Sequence, residues 1–262
     1  MKHLEHLSIL SISGDDASEL LQGQMTQDVR VVEDEKIHMT SFCNVQGRVI
    51  ASAFIQGKND HYDLILSSEL ADDLKNHLQR YILRSKVTIV KSEKKVFGIY
   101  SKETVNDQQF FKLLSNDPGR MLSLASQAPE NIDNLISSEE WIHCDIKKMI
   151  PITTKKSSLK YIPQMLNLDI LDAVNFSKGC YTGQEVVARV QHRGKIKQRM
   201  FIMESESQRV FDIGSEIHHE SKKVGTVVIS ALTDDKSIGL AVINTSNSGN
   251  QLNIENKDIF IL

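Results

Sequence analysis

The hydrophobic pattern of this chain changes spacing near residue 196, and that change restricts the possible folds more than any other feature. Beyond it the apolar stretches are short and close together, at residues 200–204, 216–219, 224–231, 238–243, 252–255 and 259–262. Gly214, Gly225, Gly239 and Gly249 punctuate them, a pattern that predicts a small all-β barrel or sandwich. Before it, strands and helices alternate. Residues 7–13, 37–43, 48–56, 62–66, 86–90 and 96–100 read as strands, with a turn at Asn44-Val45-Gln46-Gly47 joining the second to the third. Residues 15–27 read as a helix with Ala17, Leu20, Leu21 and Met25 on one face, and residues 69–82 as a second helix. Helices interleaved with hairpin-linked strands predict an α+β layer.

Between these regions lie all four prolines, Pro118, Pro129, Pro151 and Pro163, marking a stretch of connections. Ser137-x-x-Glu140 is a capping-box pattern that predicts a helix over 138–148. Thr182-x-x-Glu185 is a second, predicting a short helix through 190 in which Glu185 and Arg189 stand one turn apart and pair.

At 262 residues the chain can bury a core without disulfides or metal. Its 31 Lys+Arg against 34 Asp+Glu exclude a global basic field for nucleic acid, though not a local patch. No apolar run approaches the roughly 18 residues of a membrane span, and the N-terminus lacks the apolar stretch of a signal peptide, so a cytoplasmic location is expected. Cys43, Cys144 and Cys180 are odd in number and widely spaced, giving neither a disulfide framework nor a metal knuckle. No resident metal is expected.

Chemistry concentrates in Lys178-Gly179-Cys180-Tyr181-Thr182-Gly183-Gln184-Glu185, continuing to Arg189 and His192-Arg193-Gly194. A thiol between two glycines, close before a helix start and beside Lys178, is placed to favour thiolate. From Lys178 to Arg199 there are six basic residues against one acid, Glu185, a local patch suited to a carboxylate- or phosphate-bearing ligand. The same residues also read as a small buried cysteine and a solvated basic face. Pairing with His192 as a cysteine-protease dyad lacks anything that fixes the geometry.

The segment Lys178–Glu185 with Arg189 resembles the signature of the YgfZ family, folate-binding proteins of iron–sulfur cluster maintenance related to the T-protein (aminomethyltransferase) of the glycine cleavage system. Further stretches resemble the same family: Ser13-Gly14-Asp15-Asp16-Ala17 with Leu21-Gln22-Gly23-Gln24-Met25-Thr26-Gln27-Asp28-Val29, Asn44-Val45-Gln46-Gly47-Arg48, Tyr81-x-x-Arg84-x-Lys86-Val87, and Ile162-Pro163-Gln164 with Asn167-Leu168. The likeness runs over residues 5–200; the last sixty or so residues match in pattern only.

The resemblance implies an α+β, three-part ring of the aminomethyltransferase type, with parts at 1–100, 101–195 and a C-terminal β-barrel at 196–262 around a central folate channel. It implies Cys180 and Lys178 as the functional pair, supported by Gly179, Tyr181, Gly183, Gln184, Glu185 and Arg189. It makes Trp141, the sole tryptophan, the aromatic that meets folate; helical spacing sets it about 100° from the Ile142/Ile146/Met149 face, which permits core packing as well. Leu7 stands where some members carry a second folate-contacting Trp, and Met149 where members often have Gly. The implied function is a folate-binding accessory protein, using tetrahydrofolate or a one-carbon derivative, that serves assembly or repair of iron–sulfur enzymes. Its partners are those assembly or client proteins, and its effect on tRNA modification is indirect. Two rivals remain. A folate-dependent aminomethyltransferase needs a carboxylate facing the pterin, and no acid falls in a motif that assigns one. A tRNA-binding module would use the basic run at 178–199 and the five Lys of 147–160.

Overall fold

A computed structural model of the chain describes residues 2–32, 36–100, 110–113, 117, 119–129 and 134–262. Met1, Pro118 and the residues beyond the expected boundary at 100, namely 101–109, lie outside the described residues.

The first sheet is antiparallel, in the order β2-β3-β4-β1-β5, from β1 (Leu7–Ser13), β2 (His38–Cys43), β3 (Val49–Lys58), β4 (His61–Ser67) and β5 (Thr88–Lys91). Strands β1 to β4 bury residues on both faces, and the period of two divides them cleanly, whereas the edge strand β5 buries only Ile89. Leu10, Ile12, Leu64, Leu66 and Ile55 point to one core, shared with α1 (Ala17–Gln24) and α2 (Ala71–Gln79). Leu7, Ile9, Ile65, Phe54 and Met39 point to the other. The turn between β2 and β3 forms as expected: Gly47 adopts φ 69°, and Asn44 Oδ1 accepts from the N–H groups of Gln46 and Arg48.

The second sheet has the order β7-β8-β6-β9, from β6 (Lys95–Tyr100), β7 (Phe111–Lys112), β8 (Arg120–Ala125) and β9 (Leu135–Ile136). Helix α3 (Ser138–Lys147) follows, opened by the expected capping box between Ser137 and Glu140. After α4 (Gln184–Arg193), six strands close a barrel in the order β10-β13-β12-β11-β14-β15: β10 (Gln198–Ser205), β11 (Glu216–His219), β12 (Lys222–Leu232), β13 (Ser237–Asn244), β14 (Leu252–Ile254) and β15 (Lys257–Ile261). Register shifts at Ile217/His218 and Val227/Ile229 bend the strands that must curl to close it. The barrel has its own apolar filling around Met203, Phe211, Ile217 and Val227. A larger core joins all three regions, running from Leu4 and Ile9 through Val96, Trp141 and Ile150 to Met200, Val228 and Leu240.

Two helices are shorter than their apolar pattern. The first stops at Gln24, because Thr26 N–H donates to Ser41 O and draws the chain against the sheet. It also starts late: the Asp16 carboxylate accepts from Lys86 N–H at 2.7 Å instead of capping. In the second, residues Ser68–Leu70 form a 3₁₀ turn before the α-helix proper. Met149 sits in the left-handed region at φ 55° as the chain leaves α3, a conformation that glycine adopts at less cost.

Candidate functional site

The segment from Lys178 to Gly183 is a loop stitched onto α1 and the residues just after it, and Gln184 and Glu185 open α4. Lys178 is buried, and its ammonium donates to three main-chain carbonyls: Gln22 O at 2.8 Å, Met25 O at 2.7 Å and Gln27 O at 2.8 Å. Burial pushes its pKa down to about 8, while the three acceptors hold the proton in place. Its Nζ also stands 5.2 Å from the ring centroid of Tyr181, itself buried, whose phenol burial pushes upward. Thr182 N–H donates to Gly23 O, and its hydroxyl to Gln24 Oε1 at 3.1 Å.

Two sequence expectations are corrected here. Thr182 does not cap α4, since its hydroxyl is spent on α1; the N-cap is Gly183, at φ 87°, with no side-chain cap. A Cβ at Gly183 would meet Asn44 O at 2.4 Å, so only glycine fits against the β2–β3 turn. The second concerns Lys178, read as a charge beside the thiol: its ammonium donates to the carbonyls of Gln22 in α1 and of Met25 and Gln27 just beyond it. Cys180 and Gly179 are exposed, and a Cβ at Gly179 would have open space around it. Gln184 is half-buried in the first turn of α4. Glu185 and Arg189 pair as expected, at 2.7 Å, on its exposed face. Cys43 is buried and its thiol is pushed up to about 12 by desolvation; Cys144, partly buried, is raised by the same cause.

A cavity of about 690 Å³ opens where the three regions meet. The first sheet and the chain before it contribute Glu5, His6 and Ser67–Glu69, α3 contributes Ile142 and Asp145, and the barrel contributes Ile229–Leu232. Ile150, Ile152 and Ile213 make the wall largely apolar. None of the residues from Lys178 to Arg189 lines it, so the loop and the cavity are separate features.

Trp141 lies behind this wall, not in it. It is fully buried, with the Arg120 guanidinium 4.4 Å from its ring centroid. On Gly98 a Cβ would stand 2.5 Å from the indole Cε3, so the glycine is what lets the ring lie on the second sheet. Arg120 is itself wholly buried and bridges two buried acids, Asp117 through Nε at 2.5 Å and Asp145 at 2.7 Å. Asp145 extends from this cluster to the cavity, and desolvation raises its pKa to about 6 despite Arg120. His6 has both ring nitrogens buried without a partner, and burial lowers its pKa to about 4. Sequence reasoning missed both. A lone acid one turn from Trp141 and next to Ile146 was the available signal for Asp145; nothing local marks Arg120 as its partner.

Among the described residues no group of three or more His, Cys, Asp or Glu is placed to hold a metal ion, and no helix is long and apolar enough to cross a membrane. No family profile matches the chain. A protein named tRNA-modifying protein YgfZ from Hamiltonella defensa is 28% identical over 273 residues, covering 92% of this chain and 81% of that one. The chain is similar to the YgfZ proteins over nearly its whole length. The YgfZ of Escherichia coli O157:H7 is 25% identical, with 92% and 83% covered. An uncharacterized Haemophilus influenzae protein is 28% identical, with 98% and 94% covered. The fold is that of the aminomethyltransferase T-protein: the glycine cleavage system aminomethyltransferase T from Bartonella henselae superposes with a TM-score of 0.74 at 10% identity, covering 99% of this chain and 83% of that one.

Proposed function

We propose that the cavity binds a reduced folate and that the chain is a folate-dependent accessory protein in the maturation or repair of iron–sulfur enzymes, with its effect on tRNA modification indirect. One observation carries this reading. In a chain with the T-protein fold, all three regions wall a largely apolar cavity that holds a buried carboxylate. A pterin is flat and apolar on its faces, with N–H groups along one edge. Ile142, Ile150, Ile152 and Ile229 suit the faces, and Asp145 accepts from the edge. Trp141, under Arg120, serves as a rigid backing to α3 rather than as a stacking surface. The exposed Cys180 loop, held rigid by Lys178, is a second face turned toward protein partners.

Titration of tetrahydrofolate tests this. Trp141 is the only tryptophan, so its fluorescence reports the α3 wall alone. A saturable change is expected, and Asp145→Asn is expected to weaken binding by about tenfold, or about 1.4 kcal/mol. Unchanged affinity in a variant that melts cooperatively places the ligand elsewhere.

Asp145 also favours a second reading, that of an aminomethyltransferase-like enzyme, because a carboxyl with a pKa of about 6 can hold or release a proton beside bound folate at neutral pH. Turnover of methylene-tetrahydrofolate, followed by absorbance and lost in Asp145→Asn, supports that reading; no turnover leaves the binding role. Direct tRNA binding is less favoured. Lys155 and Lys156 of the basic run already face Asp73 and Asp212 at 3.9 and 3.7 Å.

A further inference from the structure

The cavity carries an electrostatic preference that its size does not reveal. Its described lining contains four carboxylates, Glu5, Glu69 and Glu139 in exposed positions and Asp145 buried within, and neither Lys nor Arg. Three described cations that are chain neighbours of its lining residues, or pair with such neighbours, each stand near a carboxylate outside the lining. Lys2 stands 3.8 Å from Glu140, Lys155 stands 3.9 Å from Asp73 and gives its main-chain N–H to Glu69, and Arg209 pairs with Glu255. His6, the remaining basic side chain of the wall, has no proton-accepting partner that would keep it charged.

A folate is not a neutral ligand. Its pterin and aminobenzoyl rings end in a glutamate, and each further γ-linked glutamate adds one negative charge. If the rings enter the apolar interior, the tail leaves past Glu5, Glu69 and Glu139. We propose that this acidic mouth makes the site selective against long anionic tails, so that its ligand is a reduced pterin carrying one glutamate or none. This inference rests on the folate reading given above. It runs against the reading of the basic run from Lys178 to Arg199 as the patch for a carboxylate-bearing ligand, because no residue of that run lines this cavity. The repulsion acts through solvent at the mouth, so it is moderate and sensitive to salt, with a screening length of about 30 Å at 0.01 M and about 8 Å at 0.15 M.

Calorimetry on the full chain with tetrahydropteroate, tetrahydrofolate monoglutamate and its tri- and pentaglutamates tests this directly, because the rings are constant across the series. Affinity is expected to fall by about threefold for each added glutamate at low ionic strength, and the spread is expected to narrow, with the same order kept, at physiological salt. Glu5→Gln combined with Glu139→Gln, both at exposed positions, is expected to narrow the low-salt spread. Polyglutamates that bind as tightly as the monoglutamate or tighter overturn the inference. So does a spread that ignores both salt and the double variant. If no member of the series binds, the folate reading itself fails; if all bind equally, that reading stands and only the charge selection is lost.

Discussion

Replacing Lys178 with methionine separates two roles, loop anchor and activator of the neighbouring Cys180 thiol. Methionine keeps the apolar stem but removes the ammonium and its three bonds to Gln22 O, Met25 O and Gln27 O. A hydrogen bond from a charged group contributes about 1.5–3 kcal/mol, so the three together give at least about 4.5 kcal/mol. Against this stands the cost of burying the charge. The fall in pKa from 10.5 to about 8 corresponds to about 3 kcal/mol. The carbonyls left behind add to the loss wherever water does not reach them, since each unsatisfied buried acceptor costs about 1–3 kcal/mol. The expected net destabilisation is about 2–4 kcal/mol, or a fall in Tm of roughly 5–15 °C for a chain of this size. Scanning calorimetry and urea unfolding measure it, while iodoacetamide labelling of Cys180 is followed in parallel and is expected to keep its rate. A variant as stable as the wild type, with markedly slower labelling of Cys180, refutes the argument and returns Lys178 to the role of thiol activator.

Asp145, with a folded pKa of about 6 against 3.8 unfolded, binds more protons when folded; its contribution is full below pH 4 and is lost as pH rises through 6. Urea melts of wild type and Asp145→Asn are therefore expected to show the wild type gaining about 1 kcal/mol relative to the variant between pH 7 and pH 5, the opposing contribution of His6 cancelling in the difference. Gly183→Ala, at φ 87° and with its Cβ directed 2.4 Å from Asn44 O, is expected to cost more than about 2 kcal/mol, whereas Gly179→Ala leaves Tm unchanged. Brief alkylation followed by mass spectrometry is expected to label the exposed Cys180 first and the partly buried Cys144 more slowly, with Cys43 reacting only on unfolding.

Much of the fold is legible because strand alternation and capping are local signals. The strands β1 to β4, the Asn44–Gly47 turn and the Ser137/Glu140 box all announce themselves within a few residues. The Thr182/Glu185 pattern looks the same but fails, because a hydroxyl with a distant competitor, Gln24, does not cap. Lys178 shows the same limit more sharply. A basic residue in a polar loop reads as charge offered to its neighbours, yet the acceptors of this one lie more than 150 residues earlier in the chain. The candidate cavity is the least legible feature. Its wall collects isolated side chains from four stretches, and an acid such as Asp145 becomes distinctive only once Arg120 and Trp141 are brought against it.

That scattered wall has a consequence for the lifetime of the protein. Residues 5–6, 67–69, 138–154 and 210–232 must all be in place before the cavity exists, so no partly folded form of the chain can retain a molecule held there. An occupant therefore acts as a latch on complete closure. At a hundredfold excess over its dissociation constant it adds about 2.7 kcal/mol to the stability of the whole chain. A shift of that size changes the fraction open to proteases by about a hundredfold, so the abundance of the protein in a cell follows the supply of whatever fills the cavity.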